Sequence, residues 1–328
     1  MARKILRGFP EYYADFDWDS GLFMFTIGLP FNCNYRCPKC AFSDSKTENS
    51  LPLKRKLDLI QEARNLGAKV FLVTGEGEPL IPDEFRDLVR GAYQSGLDSV
   101  IFTNASDLDT EIAQFCFDHN VGLILSVDSL IRETYDLLTG TKGFFDIAKE
   151  NIDYARSLYK YDLTKRDENI MGRLALNCVV TLQNMGEIPN IRDWCGDDIC
   201  FICNYPVYSG DAKRNWQMLT GMENGEANPE LVEIATDYTE RPQQTFTRPV
   251  GGCASLLNGI ELCSDGKAII CAGGRENLLG DGSYESLRSI WERKKEFIGR
   301  YRLYELECLP RSSPELYIKI CNGLKNEA

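Results

Sequence analysis

The chain has 328 residues and 43% hydrophobic composition, enough to bury a sizeable core without covalent staples and to hold one large domain plus a smaller one. Its 37 Lys and Arg stand against 49 Asp and Glu, a formal charge of −12 that opposes a phosphate backbone, so nucleic acid is not an expected partner; a cationic small molecule or a basic peptide suits the charge better. Met1 to Ser20 mixes charged and aromatic residues with no apolar stretch, which excludes a secretory signal and a membrane span there, and 13 cysteines without an export signal read as cofactor ligands or packed thiols of a cytoplasmic protein.

From Leu22 onward, short apolar runs alternate with amphipathic stretches. Strands are expected at Leu22 to Leu29, Lys69 to Thr74, Ser99 to Thr103, Val121 to Val127, Leu174 to Thr181 and Ile199 to Tyr205. Helical patterns lie between them, at Leu53 to Leu66, Pro82 to Gln94, Asp109 to His119, Phe145 to Leu158 and Met185 to Cys195. Repeated β/α units imply a parallel sheet with crossovers of one hand, hence an open or closed barrel with its active site at the carboxyl ends of the strands. Asp211 to Pro249 reads as a solvated connector with one short helix near Pro229 to Thr236. The expected division is a barrel over 1–212, a linker over 213–250 and a small α+β unit over 251–328.

Directly after the first strand stands Cys33-Asn34-Tyr35-Arg36-Cys37-Pro38-Lys39-Cys40, a C-x3-C-x2-C run. Three thiolates on one short loop can hold three irons of a [4Fe-4S] cluster and leave the fourth iron open. A structural zinc site needs four N or S ligands, usually from two C-x2-C units, and the chain has one histidine, His119. The spacing resembles the signature of the radical S-adenosylmethionine (radical SAM) superfamily, in which the open iron chelates SAM and an electron cleaves it to a 5′-deoxyadenosyl radical. The resemblance implies an α/β fold with a partial (β/α)6 TIM-like barrel, hydrogen-atom abstraction, and an electron donor such as flavodoxin or ferredoxin.

Further matches follow in order. Gly75-Glu76-Gly77-Glu78-Pro79, after the second strand, is similar to the family's Gly-Gly-Glu-Pro motif, with Glu76 in a glycine's place. Asn104, Ser126 and Asp128 at later strand ends, with Tyr135, Leu138, Gly140 and Gly143-Phe144, look like the ribose and methionyl-contact regions, and Asn184, Pro206 and Gly210 continue the register. The resemblance therefore implies SAM contacts at Gly75, Glu76, Gly77, Glu78, Asn104, Ser126 and Asp128, and it spans about Phe23 to Ala212. One departure is Lys39, where the family often has an aromatic residue against adenine; Tyr35 or Phe42 are the alternatives.

Near the C-terminus, Cys253, Gly266 and Cys271 form a C-x12-G-x4-C pattern, with Cys308 and Cys321 downstream. This resembles the cysteine-bearing hairpin of SPASM and twitch domains and implies one auxiliary [4Fe-4S] cluster on Cys253, Cys271, Cys308 and Cys321. Asp265-Gly266 signals a two-residue hairpin turn, which pairs Cys263 with Ala268 and Ile260 with Cys271 and points Cys263 away from Cys271. The alternative is a hairpin of buried free thiols. In the last barrel strand Cys200 and Cys203 leave opposite faces, and Cys203 is the candidate hydrogen donor. Cys116 and Cys178 read as core.

The expected activity is dehydrogenation of a small polyhydroxylated substrate such as an amino sugar or aminocyclitol. Alternatives are radical epimerisation with a cysteine hydrogen donor, maturation of a ribosomal peptide, and a non-enzymatic iron-sulfur scaffold.

Overall fold

The run Phe23-Met24-Phe25-Thr26-Ile27 has no polar face, which suits a strand covered on both sides. The protein's structure, a computed structural model describing residues 3–13, 15–44, 49–166, 168–240, 247–270 and 279–305, buries that run throughout. In chain order come β1 (Arg3–Leu6), β2 (Met24–Leu29), α1 (Leu53–Asn65), β3 (Val70–Gly75), α2 (Phe85–Gln94), β4 (Asp98–Thr103), α3 (Thr110–Asp118) and β5 (Gly122–Ser126). Then follow α4 (Arg132–Thr139), α5 (Phe145–Tyr159), β6 (Thr164–Arg166), β7 (Asn169–Gly172), β8 (Leu174–Val179), α6 (Ile188–Cys195) and β9 (Cys200–Asn204). The remainder holds α7 (Gly210–Arg214), α8 (Trp216–Thr220), α9 (Pro229–Tyr238), α10 (Ala254–Asn258), β10 (Gly259–Leu262), β11 (Lys267–Ile269), β12 (Gly280–Asp281) and α11 (Leu287–Tyr301).

Nine strands form one sheet in the order β12-β11-β10-β2-β3-β4-β5-β8-β9. Neighbours from β10 through β9 run parallel, while β11 and β12 join antiparallel at one edge. This is the α/β partial barrel expected, with the strands within a residue or two of their expected bounds. Helix ends follow local chemistry: Asp109 caps α3 by accepting from Ile112 N at 2.8 Å, and Asn228 caps α9 ahead of Pro229. Among the described residues, no helix is long and apolar enough to cross a membrane.

Alternation along each strand separates two cores. Phe25, Ile27, Phe71, Val73, Ile101, Leu123, Leu125, Leu176 and Phe201 pack against the helices. Met24, Val70, Leu72, Val100, Ile124, Ala175, Cys200 and Ile202 face the barrel interior with Leu6, Phe9, Trp18 and Phe23. The N-terminal segment thus plugs the interior, a role its irregular aromatic pattern does not announce. Gly8 permits the approach: its φ is +91°, and an added Cβ would stand 2.2 Å from Val100 Cγ2. Lys4 anchors the plug by donating to Ile199 O at 2.9 Å and pairing with Glu240 at 3.1 Å. β1 pairs with β7, and β7 with β6, in a small three-stranded sheet that was not expected.

Two further differences concern the C-terminal part. α9 is the short helix expected near Pro229 to Thr236, but the connector is not solvated there, because Leu231 and Ala235 are buried in the helical core. The hairpin is joined to the barrel sheet through β10, in register with β2, rather than standing as a separate sheet. Its loop has three residues: Leu262 pairs with Ala268, Cys263 N donates to Lys267 O at 2.9 Å, and Gly266 takes a φ of +94°. The two-residue reading is therefore off by one, and the face argument that set Cys263 apart from Cys271 falls with it. Cys271, Cys308 and Cys321 lie outside the described residues.

Candidate functional site

The cysteine loop leaves the carboxyl end of β2 and is held by backbone contacts at three places. Glu78 N donates to Asn32 O at 2.7 Å, Arg36 N to Thr139 O at 2.9 Å, and Asp211 N to Cys40 O at 2.9 Å. Glycine makes two of these approaches possible, since a Cβ at Gly77 would meet Asn32 O at 2.2 Å and one at Gly140 would meet Arg36 O at 2.2 Å. Cys33, Cys37 and Cys40 are part-buried free thiols. Tyr35, Tyr135 and Ala148 form an apolar wall behind Cys33 and Cys37, with the two tyrosine hydroxyls 2.7 Å apart.

Burial pushes all three thiols up, Cys37 to about 12, so metal binding there releases protons. Among the described residues no three His, Cys, Asp or Glu side chains converge on a single ion. A cluster is compatible with that spread because each thiolate holds its own iron, whereas a tetrahedral zinc gathers its ligands at about 2.3 Å from one centre. The donor set and the clamped loop therefore fit an iron-sulfur group.

The other expected contacts gather around this loop, several of them with side chains committed to holding it. Glu78 accepts from Thr103 Oγ1 and Asn104 N, both at 2.7 Å, and from Leu80 N at 3.2 Å; burial still raises its carboxyl to about 7 against those donors. Asn104 donates to Asn34 Oδ1 at 3.0 Å, inside the cysteine loop. Glu76 accepts from Ser264 N at 3.3 Å and Ser264 Oγ at 3.2 Å, which ties the motif loop to the β10–β11 hairpin. The glutamate in a glycine's place thus has a structural partner, supplied by the three-residue hairpin loop. Gly75 ends β3, Gly77 makes the close approach to Asn32, and Ser126 sits half-buried on the interior face at the end of β5.

Lys39, the departure from the family pattern, forms a 2.8 Å ion pair with Asp128. Burial is the largest single influence on the Lys39 ammonium and lowers it, but the charge and hydrogen bond of Asp128 together with the neighbouring Cys37 outweigh it, and the net displacement is upward. Asp128 also accepts from Val179 N at 2.8 Å, and Asn184 holds its backbone oxygen at 2.8 Å. The sequence shows neither partnership, since nothing local links positions 39 and 128.

Cys203 is brought elsewhere. It is fully buried with Phe201 between sheet and helices, beside Cys178 on β8, while Cys200 faces the interior at the closed, N-terminal end of β9. Strand parity separates the two thiols correctly but does not say which one faces inward. Cys253 is the N-cap of α10 and half-buried.

Fold and site define a parallel-stranded α/β barrel with a three-thiol loop at its mouth. Residues 29–165 match the family model described as Radical SAM superfamily, and the chain carries a radical SAM domain. It is 28% identical over 214 residues to the Fe-coproporphyrin III synthase of Methanosarcina barkeri (strain Fusaro / DSM 804), covering 64% of this chain and 49% of that protein. It is 31% identical over 125 residues to the GTP 3',8-cyclase of Picosynechococcus sp. (strain ATCC 27264 / PCC 7002 / PR-6), covering 36% and 38% of the two. The chain thus spans about half or less of the length of these curated relatives. Among solved structures, native anSMEcpe with bound AdoMet superposes with a TM-score of 0.59 at 14% identity, over 86% of this chain and 84% of that one.

Proposed function

We propose that Cys33, Cys37 and Cys40 hold a [4Fe-4S] cluster, that SAM binds beside it at the ends of β3, β4 and β5, and that a substrate in the upper barrel loses a hydrogen atom. The observation that carries this reading is the three-thiol loop clamped at the mouth of an interior that is open above and plugged below. Cluster and SAM together would supply a 5′-deoxyadenosyl radical. The chain's own residues fix the loop through Asn32, Arg36 and Cys40, offer the backbone around Gly77 to the cofactor, and exclude water from below through Phe9, Trp18 and Phe23. An external one-electron donor such as flavodoxin or ferredoxin would reduce the cluster.

Dehydrogenation of a small polyhydroxylated or amino-sugar substrate remains our reading of the reaction. The epimerase reading loses support because Cys203, its hydrogen donor, is turned into the helical layer. An auxiliary cluster on Cys253, Cys271, Cys308 and Cys321 would accept the second electron. The names of the relatives share no substrate, and none is carried over.

Anaerobic reconstitution tests the reading. We expect about eight irons per chain and, with dithionite and SAM, 5′-deoxyadenosine and methionine. Tight SAM binding with no cleavage under strong reductant would favour an iron-sulfur scaffold.

A further inference from the structure

One buried group takes no part in the clamped loop or the plug. Glu261 lies on β10, in register with Thr26 of β2 on one side and Ile269 of β11 on the other. Ile260 and Leu262 pack into the helical layer, so alternation directs Glu261 to the barrel interior. The residue is 8% exposed, and among the described residues no donor hydrogen-bonds its carboxylate. The charged groups that act on it are Lys294 and Glu76. Lys294 donates to Ile270 O at 2.9 Å and Ser255 O at 3.2 Å, and Glu76 is bonded to Ser264.

The space it faces is open. Phe102, Ser126, Asn177 and Val179 keep partial exposure although their strands lie in the body of the sheet. Across the strand order from Glu261, Asn204 donates to Asn177 Oδ1 at 2.5 Å, giving a second polar wall. A buried carboxylate without donors is costly, and proteins keep such groups where a ligand completes them.

We propose that Glu261 recognises an ammonium group of the substrate in the upper barrel interior. This rests on the radical reading only for the word substrate; the cation site is a property of the fold. Burial raises the Glu261 carboxyl to about 7, with Lys294 opposing and Glu76 adding, a displacement that a cationic ligand relieves. The net charge of −12 draws cations to the protein in the same sense.

The test uses calorimetry on reconstituted, SAM-bound protein at pH 8 with two matched probe pairs. The first is 4-aminocyclohexanol against cyclohexane-1,4-diol; the second is acetyl-Gly-Lys-Gly-amide against its norleucine analogue. In at least one pair the ammonium member binds about tenfold tighter than its neutral partner. Preference in the first pair assigns a small amine, and preference in the second a lysine side chain. Glu261→Gln brings that ratio to within about twofold, leaves SAM affinity unchanged, and does not lower the melting temperature, because it removes an unpaired charge. No discrimination in either wild-type pair, discrimination that survives the substitution, a tenfold loss of SAM affinity, or a lowered melting temperature would each overturn the proposal. Discrimination in a protein that never cleaves SAM removes the radical reading and leaves the cation site standing.

Discussion

The lower and upper halves of the barrel interior are built from the same strands and differ in everything else. Below, Met24, Leu72, Val100, Ile124 and Ala175 meet the N-terminal plug of Leu6, Phe9, Trp18 and Phe23 in a closed apolar core. One step further along the same faces stand Thr26, Phe102, Ser126, Asn177 and Asn204, polar or half-exposed, with Glu261 entering from β10. Two residues of strand therefore carry the interior from a closed apolar floor to the polar space where we propose binding, as barrels divide their labour between the amino and carboxyl ends. Substitutions below should cost folding and spare chemistry; those above should do the reverse.

The largest effect belongs at the mouth. Replacing Cys33, Cys37 and Cys40 together by Ala should abolish 5′-deoxyadenosine formation and reduce bound iron from about eight to about four per chain, read by iron assay and chromatography. Compared with each other before reconstitution, without metal, the variant and the wild type should melt within about 4 °C, since the loop is held by backbone contacts and not by its thiols. Persistent cleavage in the triple variant would remove the mouth from the chemistry altogether. Next comes Phe9→Ala in the plug, expected to cost about 3–5 kcal/mol in denaturant unfolding while cleavage per folded molecule stays within about twofold. A tenfold loss of cleavage in a folded Phe9 variant would break the division between halves.

The Lys39–Asp128 pair sits at the boundary and sharpens the contrast. Lys39→Met leaves Asp128 buried beside Val179 N and should cost about 3 kcal/mol, measured by chemical denaturation. Adding Asp128→Asn should restore much of that loss, because the uncompensated charge is gone. Additive losses in the double variant would mean that the two side chains contribute independently.

What the sequence discloses follows from the range of the interactions. The barrel strands are apolar runs covered on both faces, so β2 and β3 are legible to within two residues, and the C-x3-C-x2-C spacing marks the mouth. The plug is not legible: Phe9, Tyr13, Phe16 and Trp18 follow no period, and only the shape of the barrel floor orders them. The hairpin register slips by one because Asp265-Gly266 satisfies a local turn rule, while Ser264 donates to Glu76 from a distant loop. Cys203 fails for a third reason, since alternation gives relative faces and only tertiary packing says which face is inside.

The smallest expected effect isolates Glu261 by its proton. Its carboxyl is raised from 4.5 to about 7 in the folded chain, so between those values the native state binds more protons than the unfolded state. Stability from this group is present below about pH 4.5 and declines as pH rises toward about 7, by up to about 3 kcal/mol, then stays level. Glu78 is raised to about 7 as well and adds a decline of the same sign, so the wild-type curve alone does not assign the effect. The difference between wild type and Glu261→Gln does, because Glu78 with its three donors is common to both proteins. Urea unfolding at half-unit steps from pH 4.5 to 7.5 should show the Gln variant gaining on wild type as pH rises. A difference that is flat across that window would mean that the carboxylate is solvated like a surface group, and the upper interior would then be wet where the lower is dry.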